Sequence, residues 1–367
     1  MNIFRRASQV RAFAKLFYDL KIGEVSQLRY LHIDPTWWCN LRCRMCEWDK
    51  FVNRRARNNI DLSLFKRIVD EGMEWGLEQV FIGASGEPTL HPQIMEIIQY
   101  VLDRCLRTQI TTNLNIYEPD IVHMLANLET LSVSIDAAKK QTYERIRVGG
   151  DFKLVIHNIE QIVRLNPNVI TMCFVIQRDN VDEMIDYVHL AGGLGVKHVS
   201  FTMTEYFDEA SYDAVALSHV QINELKQIVV EVQRQAAKRG VKVTGLSDVQ
   251  HLANFPSRNV ERFPKRGQSY VGPNVVPCYS TWIGAFINAS GLVFLCCQGA
   301  MSEKMALGDL KQHSLSEIWQ DAFRPHREFL MGKRKPAFCQ TCVQELFHRR
   351  LHRYIRRIPY VLNSYAL

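Results

Sequence analysis

The run Cys39-Asn-Leu-Arg-Cys43-Arg-Met-Cys46 sets three thiols within one short segment, immediately after the apolar-alternating stretch 28–34. Three thiolates from one loop can hold three irons of a cubane cluster and leave the fourth iron open to a small-molecule ligand. Zinc also takes thiolates, although its knuckles usually pair two C-x2-C units. The chain has ten cysteines, at positions 39, 43, 46, 105, 173, 278, 296, 297, 339 and 342. Seven of them fall into two groups with ligand-like spacing, and the N-terminus Met1-Asn-Ile-Phe-Arg-Arg lacks the apolar core of a secretory signal. That combination argues for metal rather than disulfides and for a cytoplasmic protein.

A chain of 367 residues, 47% of them hydrophobic, can bury a substantial core, and no run approaches the length of a membrane span. The net charge of +7 is uneven, because from residue 333 onward eight basic residues face one acid, Glu345. Such a tail can meet nucleic acid or an anionic membrane surface. It carries no interleaved aromatic platform for stacking bases, so a solvated helix face is favoured, nucleic acid is not expected, and membrane-surface contact stays open. Residues 1–27 are expected to form an amphipathic helical extension, with Val10, Phe13, Leu16, Phe17 and Leu20 at helical spacing.

From residue 28 strands and helices alternate. Strands are expected at 28–33, 79–83, 107–112, 130–135, 169–176 and 198–203, and helices at 62–75, 93–105, 119–128, 152–165 and 181–191, with Asp61 starting the first helix. Six strands interleaved with helices predict parallel β/α units, whose functional loops gather at the carboxyl ends of the strands. The cysteine loop, Gly83-Ala-Ser85-Gly86-Glu87-Pro88, Thr111-Thr112-Asn113 and Ser134-Ile135-Asp136 each follow such a strand.

With C-x3-C-x2-C after the first strand and a glycine-glutamate-proline turn after the second, the chain resembles the radical S-adenosylmethionine (radical SAM) superfamily. The resemblance implies an α/β fold, the partial (β/α)6 barrel, over residues 28–245. It implies a 4Fe-4S cluster on Cys39, Cys43 and Cys46, whose open iron chelates S-adenosylmethionine for reductive cleavage to a 5'-deoxyadenosyl radical. It further implies cofactor contacts from Glu87 to the methionyl amine, from Asn113 and Ser134 near the ribose, and from Arg147, preferred to Arg145, to the methionyl carboxylate. Ser85 replaces the first glycine of the family's Gly-Gly-Glu-Pro segment. Met45 stands where the family often sets an aromatic residue against adenine, and its polarizable side chain can still cover a purine. Trp37, Trp38 and Trp48 flank the loop as shields or as core.

Beyond residue 203 come a polar connector at 204–214, a helix at 222–239, a short strand at 241–244, and an aperiodic segment, 246–277, read as a linker or active-site cover. Cys278, Cys296 and the C-x2-C pair Cys339 and Cys342 follow, with residues 282–296 reading as a β-hairpin that turns at Ala289-Ser290-Gly291. Four converging thiolates can hold a second cluster or a zinc ion. Residues 278–345 resemble the SPASM and twitch extensions of radical SAM enzymes, small α+β domains that carry auxiliary clusters. No cysteine follows Cys342, so the shorter twitch type with one auxiliary 4Fe-4S cluster is expected, with Cys296 preferred to Cys297. A helix over 315–329 opens with the capping-box pattern Ser314-Leu-Ser-Glu317, and residues 346–367 read as a basic terminal helix or tail.

The resemblance thus implies a radical oxidoreductase that takes electrons from a partner such as flavodoxin or ferredoxin. The main expectation is a dehydrogenase or epimerase acting on a sugar or aminocyclitol-like small molecule. The alternatives are a maturase of a ribosomally synthesised peptide and an RNA-binding or RNA-modifying protein. Cys173 and Cys297 are candidate hydrogen donors, and Gln177, Glu205 and Tyr206, at the ends of the last strands, are candidates for substrate contact.

Overall fold

The computed structural model describes residues 27–46, 58–204, 209–246, 249, 269–271, 278–297, 299–301, 303–331 and 334–336. Its strands are β1 (Tyr30–Ile33), β2 (Arg42–Cys43), β3 (Gln79–Ile82), β4 (Arg107–Thr112), β5 (Thr130–Ser134), β6 (Arg147–Val148), β7 (Ile170–Ile176), β8 (His198–Met203), β9 (Lys242–Thr244), β10 (Ser269–Val271), β11 (Gly284–Ile287), β12 (Leu292–Phe294), β13 (Gly308–Asp309) and β14 (Arg334–Pro336). Ten of them form one sheet in the order β13-β12-β11-β1-β3-β4-β5-β7-β8-β9. The six strands expected from the sequence, β1, β3, β4, β5, β7 and β8, pair in parallel and in chain order, as helical crossovers require. β9 adds a further parallel strand at one edge.

At the other edge lies the expected hairpin, β11–β12, antiparallel within itself. It does not stand apart from the barrel. β11 pairs in parallel with β1, from Tyr30↔Gly284 to Ile33↔Ile287. Its turn is closed by Asn288, whose Oδ1 accepts from the backbone N–H of Ser290 and of Leu292, each at 3.0 Å.

The period of two along each strand sorts the two faces of the sheet. Leu31, Ile33, Val80, Ile110, Val133, Met172, Phe174 and Phe201 are buried in a core shared with Phe65, Ile97, Ile159 and Tyr187 of the covering helices. A fully buried side chain of this size contributes about 1.5–3 kcal/mol. The alternate positions, among them Tyr30, His32, Phe81, Gln109, Ser132 and Cys173, line the inner face. There Gln109 donates to Ser132 at 3.0 Å across neighbouring strands, and the rings of Tyr30, Phe81 and His32 follow one another at 5.7 and 6.0 Å.

Asp61 caps the helix Leu62–Glu74, accepting from the N–H of Ser63 and Leu64. The long helix starts earlier than expected, at His219, on a capping box formed by Ser218 and Gln221. Three expectations need correction. The connector 204–214 contains a helix, Glu209–Val215, and segment 246–277 contains β10, which pairs antiparallel with β14. The helix expected over 315–329 keeps its capping box but is interrupted, running Leu315–Glu317, a π-turn over Ile318–Ala322, then Arg324–Met331. The cause is the buried Arg327, which donates to the Trp319 carbonyl at 2.8 Å and stacks on the Trp319 ring at 4.0 Å, drawing that carbonyl out of the regular helical ladder. The N-terminal extension up to residue 26, the tail from residue 337, Trp48, Glu205, Tyr206, Cys339 and Cys342 lie outside the described residues. Among the described residues no helix is long and apolar enough to cross a membrane.

One packed histidine gives the fold a pH dependence. His91 is buried, its Nε2 donating to the Ile60 carbonyl at 3.0 Å and its Nδ1 accepting the Gln93 N–H at 3.0 Å. Both nitrogens are satisfied only in the neutral ring, and burial lowers its pKa. A depressed histidine binds its proton more readily when unfolded, so stability is fully present above the unfolded value and falls as pH drops below about 6.5, by up to about 1.4 kcal/mol per pH unit. Urea unfolding of wild type and His91→Asn between about pH 7.5 and about pH 5.5 should show a shallower acid loss in the variant.

Candidate active site

The carboxyl ends of β1, β3, β4 and β5 meet around the cysteine loop. The loop is stitched to the barrel through β2, which pairs antiparallel with β6 so that Cys43 faces Arg147 and Arg42 faces Val148. Arg44 N–H donates to the Ile146 carbonyl at 2.9 Å, and Cys46 N–H to the Cys43 carbonyl at 3.0 Å. Cys39 is buried, with the Leu41 N–H at 3.5 Å and the Asn113 side-chain amide at 3.8 Å from its sulfur. Arg147 Nη1 lies 3.6 Å from the Cys43 sulfur. Burial pushes the Cys43 thiol up to about 12; Arg147 opposes this, while Cys46 and Cys39 stand close enough to raise it further. The Cys39 and Cys43 sulfurs each have N–H donors close by, which suits a negatively charged iron–thiolate centre.

Arg147 is buried and pairs with Asp136, Nη2 to Oδ2 at 2.5 Å. Burial works against its charge, but Asp136 and then Cys43 outweigh it and hold the guanidinium above its ordinary range. The second oxygen of Asp136 accepts the Val175 N–H at 2.7 Å. Asp136 sits at φ +62° and Leu114 at +55°, both left-handed conformations that cost a non-glycine residue about 1–3 kcal/mol. Neighbours fix them: the Asn180 amide donates to the Asp136 carbonyl at 2.8 Å, and the Leu114 N–H donates to Thr112 Oγ1 at 2.9 Å.

After β3, Ser85 donates to the Asp34 carboxylate and the Glu87 N–H to the Trp38 carbonyl at 2.8 Å. Gly86 fits because a Cβ there would stand 2.2 Å from the Thr36 carbonyl oxygen, so the turn lies directly on the backbone that enters the cysteine loop. Glu87, expected at the methionyl amine, is buried with its carboxylate directed at Thr89 Oγ1, Thr112 Oγ1 and the Asn113 N–H, at 2.7, 2.6 and 2.7 Å. It ties the ends of β3 and β4 together. The Asn113 amide also donates to Asn40 Oδ1 at 2.9 Å, and its oxygen accepts the Asn115 N–H at 2.8 Å.

Ser134 is half-buried and paired in register with Cys173; Met45 is half-buried in the loop. Arg145 is exposed and reaches the Asp179 carbonyl at 3.1 Å, while Arg44 pairs with the Asp179 carboxylate. Cys173 lies on the inner face beside Ser132, its thiol pushed up to about 11 by burial. Gln177 directly follows β7. It is fully buried, and among the described residues neither its Nε2 nor its Oε1 has a hydrogen-bond partner. Cys278 and Cys296 are half-buried and Cys297 exposed, and all three act on Tyr30 of β1.

Sequence reasoning missed the roles of Asp136 as the partner of Arg147, of Asn115 and Asn180 as clamps on the strand ends, and of Tyr30. The only available signal for Tyr30 was its spacing with His32 and Asp34, which puts three polar side chains on one face of β1.

A parallel β/α half-barrel with three thiols at the carboxyl end of its first strand defines a radical SAM protein. The sequence model of the radical SAM superfamily matches residues 33–191, so this part of the chain is a radical SAM domain. Beyond it, residues 278–343 match the SPASM iron–sulfur cluster-binding domain, a stretch that includes Cys278, Cys296, Cys339 and Cys342. The chain is thus a radical SAM enzyme with a C-terminal SPASM region, and its cofactors are S-adenosylmethionine and iron–sulfur clusters.

Among curated relatives, the AdoMet-dependent heme synthase of Methanosarcina barkeri is 24% identical over 82% of this chain and 85% of its own length. The PqqA peptide cyclase of Methylobacterium sp. strain 4-46 is 26% identical over 83% of this chain and 76% of its own. Among solved structures, Streptococcus suis SuiB bound to its precursor peptide SuiA superposes with a TM-score of 0.65 at 17% identity, covering 93% of this chain and 76% of that one, a likeness of fold. Neither curated relative bears the name of a sugar or aminocyclitol dehydrogenase, the activity that the sequence led us to expect first.

Proposed function

We propose that the protein is a radical SAM maturase that modifies a peptide. The observation that carries this reading is Gln177, a buried carboxamide at the carboxyl end of β7 with both its donor and its acceptor unmatched among the described residues. Leaving such groups unsatisfied costs about 1–3 kcal/mol. The N–H and C=O of one residue in an extended peptide point to the same side and meet both needs at once; a single sugar hydroxyl meets them less completely. The similarity to a PqqA peptide cyclase over most of the chain agrees with this substrate class.

In this reading Cys39, Cys43 and Cys46 hold the first cluster, and Cys278, Cys296, Cys339 and Cys342 the auxiliary one. When bound, the first cluster and S-adenosylmethionine supply a one-electron cleavage of a C–S bond and a carbon radical able to take hydrogen from the substrate. The chain's own part is positional. The Asn113 amide and Leu41 N–H steady the Cys39 sulfur, and Arg147, anchored by Asp136, steadies Cys43. Ser134 and Met45 would border the cofactor, and the Cys173 thiol stays protonated on the inner face. Electrons arrive from a flavodoxin or ferredoxin.

The test is anaerobic turnover with dithionite and S-adenosylmethionine, comparing a peptide library with sugars and aminocyclitols. Peptides should raise 5'-deoxyadenosine formation and emerge with hydrogen lost; stimulation by sugars alone would overturn the reading. Gln177→Leu should stabilise the unliganded protein by about 1–3 kcal/mol, because it removes the unmatched amide, while raising the KM of any stimulating peptide. A loss of stability instead would give Gln177 a structural role.

A further inference from the structure

Four hydroxyls on the inner face of the sheet are left without a partner. The alternation that buries Ile110, Val133, Phe174 and Phe201 in the core turns Thr111, Ser134, Ser200 and Thr202 to the other side. Ser134 and Ser200 are half-buried and Thr111 and Thr202 exposed, and among the described residues none of these four hydroxyls is engaged by another group. Their neighbours differ: Ser132 accepts from Gln109 at 3.0 Å, and the Cys173 thiol is directed at the Thr171 carbonyl at 3.7 Å.

The strand registers set the free hydroxyls around one patch of wall. Ser134 pairs with Cys173 and Cys173 with Ser200, so the two serines stand about 10 Å apart across β7. Thr202 pairs with Val175, two residues before Gln177, and so lies about 7 Å below that carboxamide along the strand direction. Above the strand feet, the inner positions of β4, β5, β7 and β8 carry no ionised group. Arg107, at the foot of β4, pairs with Glu78 at 3.6 Å, and Arg147 at the rim is closed on Asp136. Further round the sheet the wall is aromatic, with Phe81 beside His32, whose Nε2 donates to the Gly83 carbonyl and whose neutral ring is favoured by burial.

We propose that this wall selects the side chain on which the enzyme acts, and that the residue it admits is uncharged and hydrogen-bonding, a hydroxyl or a carboxamide. The proposal rests on the peptide reading of the proposed function and narrows it. An ionised side chain taken out of water against these groups meets no counter-charge and is disfavoured. A hydroxyl both donates and accepts, so the wall can serve either end of a carboxamide or another hydroxyl, whereas an aliphatic side chain would leave it unmatched. With the peptide backbone at Gln177, the side chain that enters the barrel reaches the level of Thr202 first. Thr202 is the specificity-determining residue.

The experiment uses the reconstituted full chain under anaerobic conditions with dithionite, S-adenosylmethionine and decapeptide pools whose central residue is fixed in turn as Ser, Asn, Leu, Asp or Lys. The 5'-deoxyadenosine formed is quantified, and the residue that has lost hydrogen is located by tandem mass spectrometry. Modification at the central Ser or Asn should exceed that at Asp or Lys by at least about tenfold. Thr202→Val keeps the branched shape and removes the hydroxyl; it should lower kcat/KM for the Ser and Asn pools by about three- to tenfold and leave the Leu pool nearly unchanged. Thr202→Lys, at an exposed position that tolerates the longer chain, should raise the Asp pool relative to Ser. Hydrogen lost from Asp or Lys as readily as from Ser and Asn, or a Thr202→Val loss equal across all pools, would overturn the inference alone. Stimulation by none of the pools would overturn the peptide reading and the inference with it.

Discussion

Cys43→Ala should bring 5'-deoxyadenosine formation down to the blank when the reconstituted protein is incubated anaerobically with dithionite and S-adenosylmethionine. A cubane held by three thiolates has no spare ligand, so loss of one removes the centre from which the electron enters. The fold should survive, because Cys43 is fixed through its backbone pairing with Arg147 and the substitution removes only a half-buried thiol. Iron should fall by about four atoms per chain, with the auxiliary centre still loaded. Retained 5'-deoxyadenosine in the variant would displace Cys39, Cys43 and Cys46 from the role proposed for them.

Arg147→Met should lower the stability of the metal-free protein by about 3–5 kcal/mol, read as a shift of the urea midpoint. Asp136 is fully buried, and burial alone raises its pKa. The guanidinium at 2.5 Å is what makes its charge tolerable, and the substitution leaves a carboxylate with neither water nor a counter-charge. Asp136→Asn added to Arg147→Met should recover much of the loss, because asparagine accepts the left-handed backbone at φ +62° and carries no charge. An unchanged midpoint in the single variant would mean that the pair contributes nothing to the fold, and Arg147 would then be free to serve the methionyl carboxylate as the sequence led us to expect.

What the sequence made legible was whatever repeats or follows a local rule. The strands Arg107–Thr112 and His198–Met203 and the helix Phe152–Leu165 fall where periodicity sets them, and Asp61 and Ser314 cap the helices that their side chains announce. The start of the long helix was missed although Ser218 and Gln221 spell a capping box, because the apolar period begins only at Ile222. The break at Ile318–Ala322 left no local trace, since it depends on where Arg327 finds carbonyls in space. The cysteine loop could be read because its chemistry is written in one segment. The Arg147–Asp136 pair could not, since it joins the end of one strand to a bridge beyond the next helix, and no spacing rule says that a conformation forbidden to most side chains will hold it.

The parallel pairing of β11 with β1 also bears on how the chain comes to be folded. β1 is among the first strands made, yet one of its two neighbours is synthesised only after the whole barrel sequence has left the ribosome. Until then β1 presents an open row of backbone donors and acceptors, the kind of edge that recruits other chains. A barrel cut away at residue 245 would keep that edge permanently. Pairing with β11 closes that edge, so a chain that ends before β11 should associate through β1 where the full chain does not.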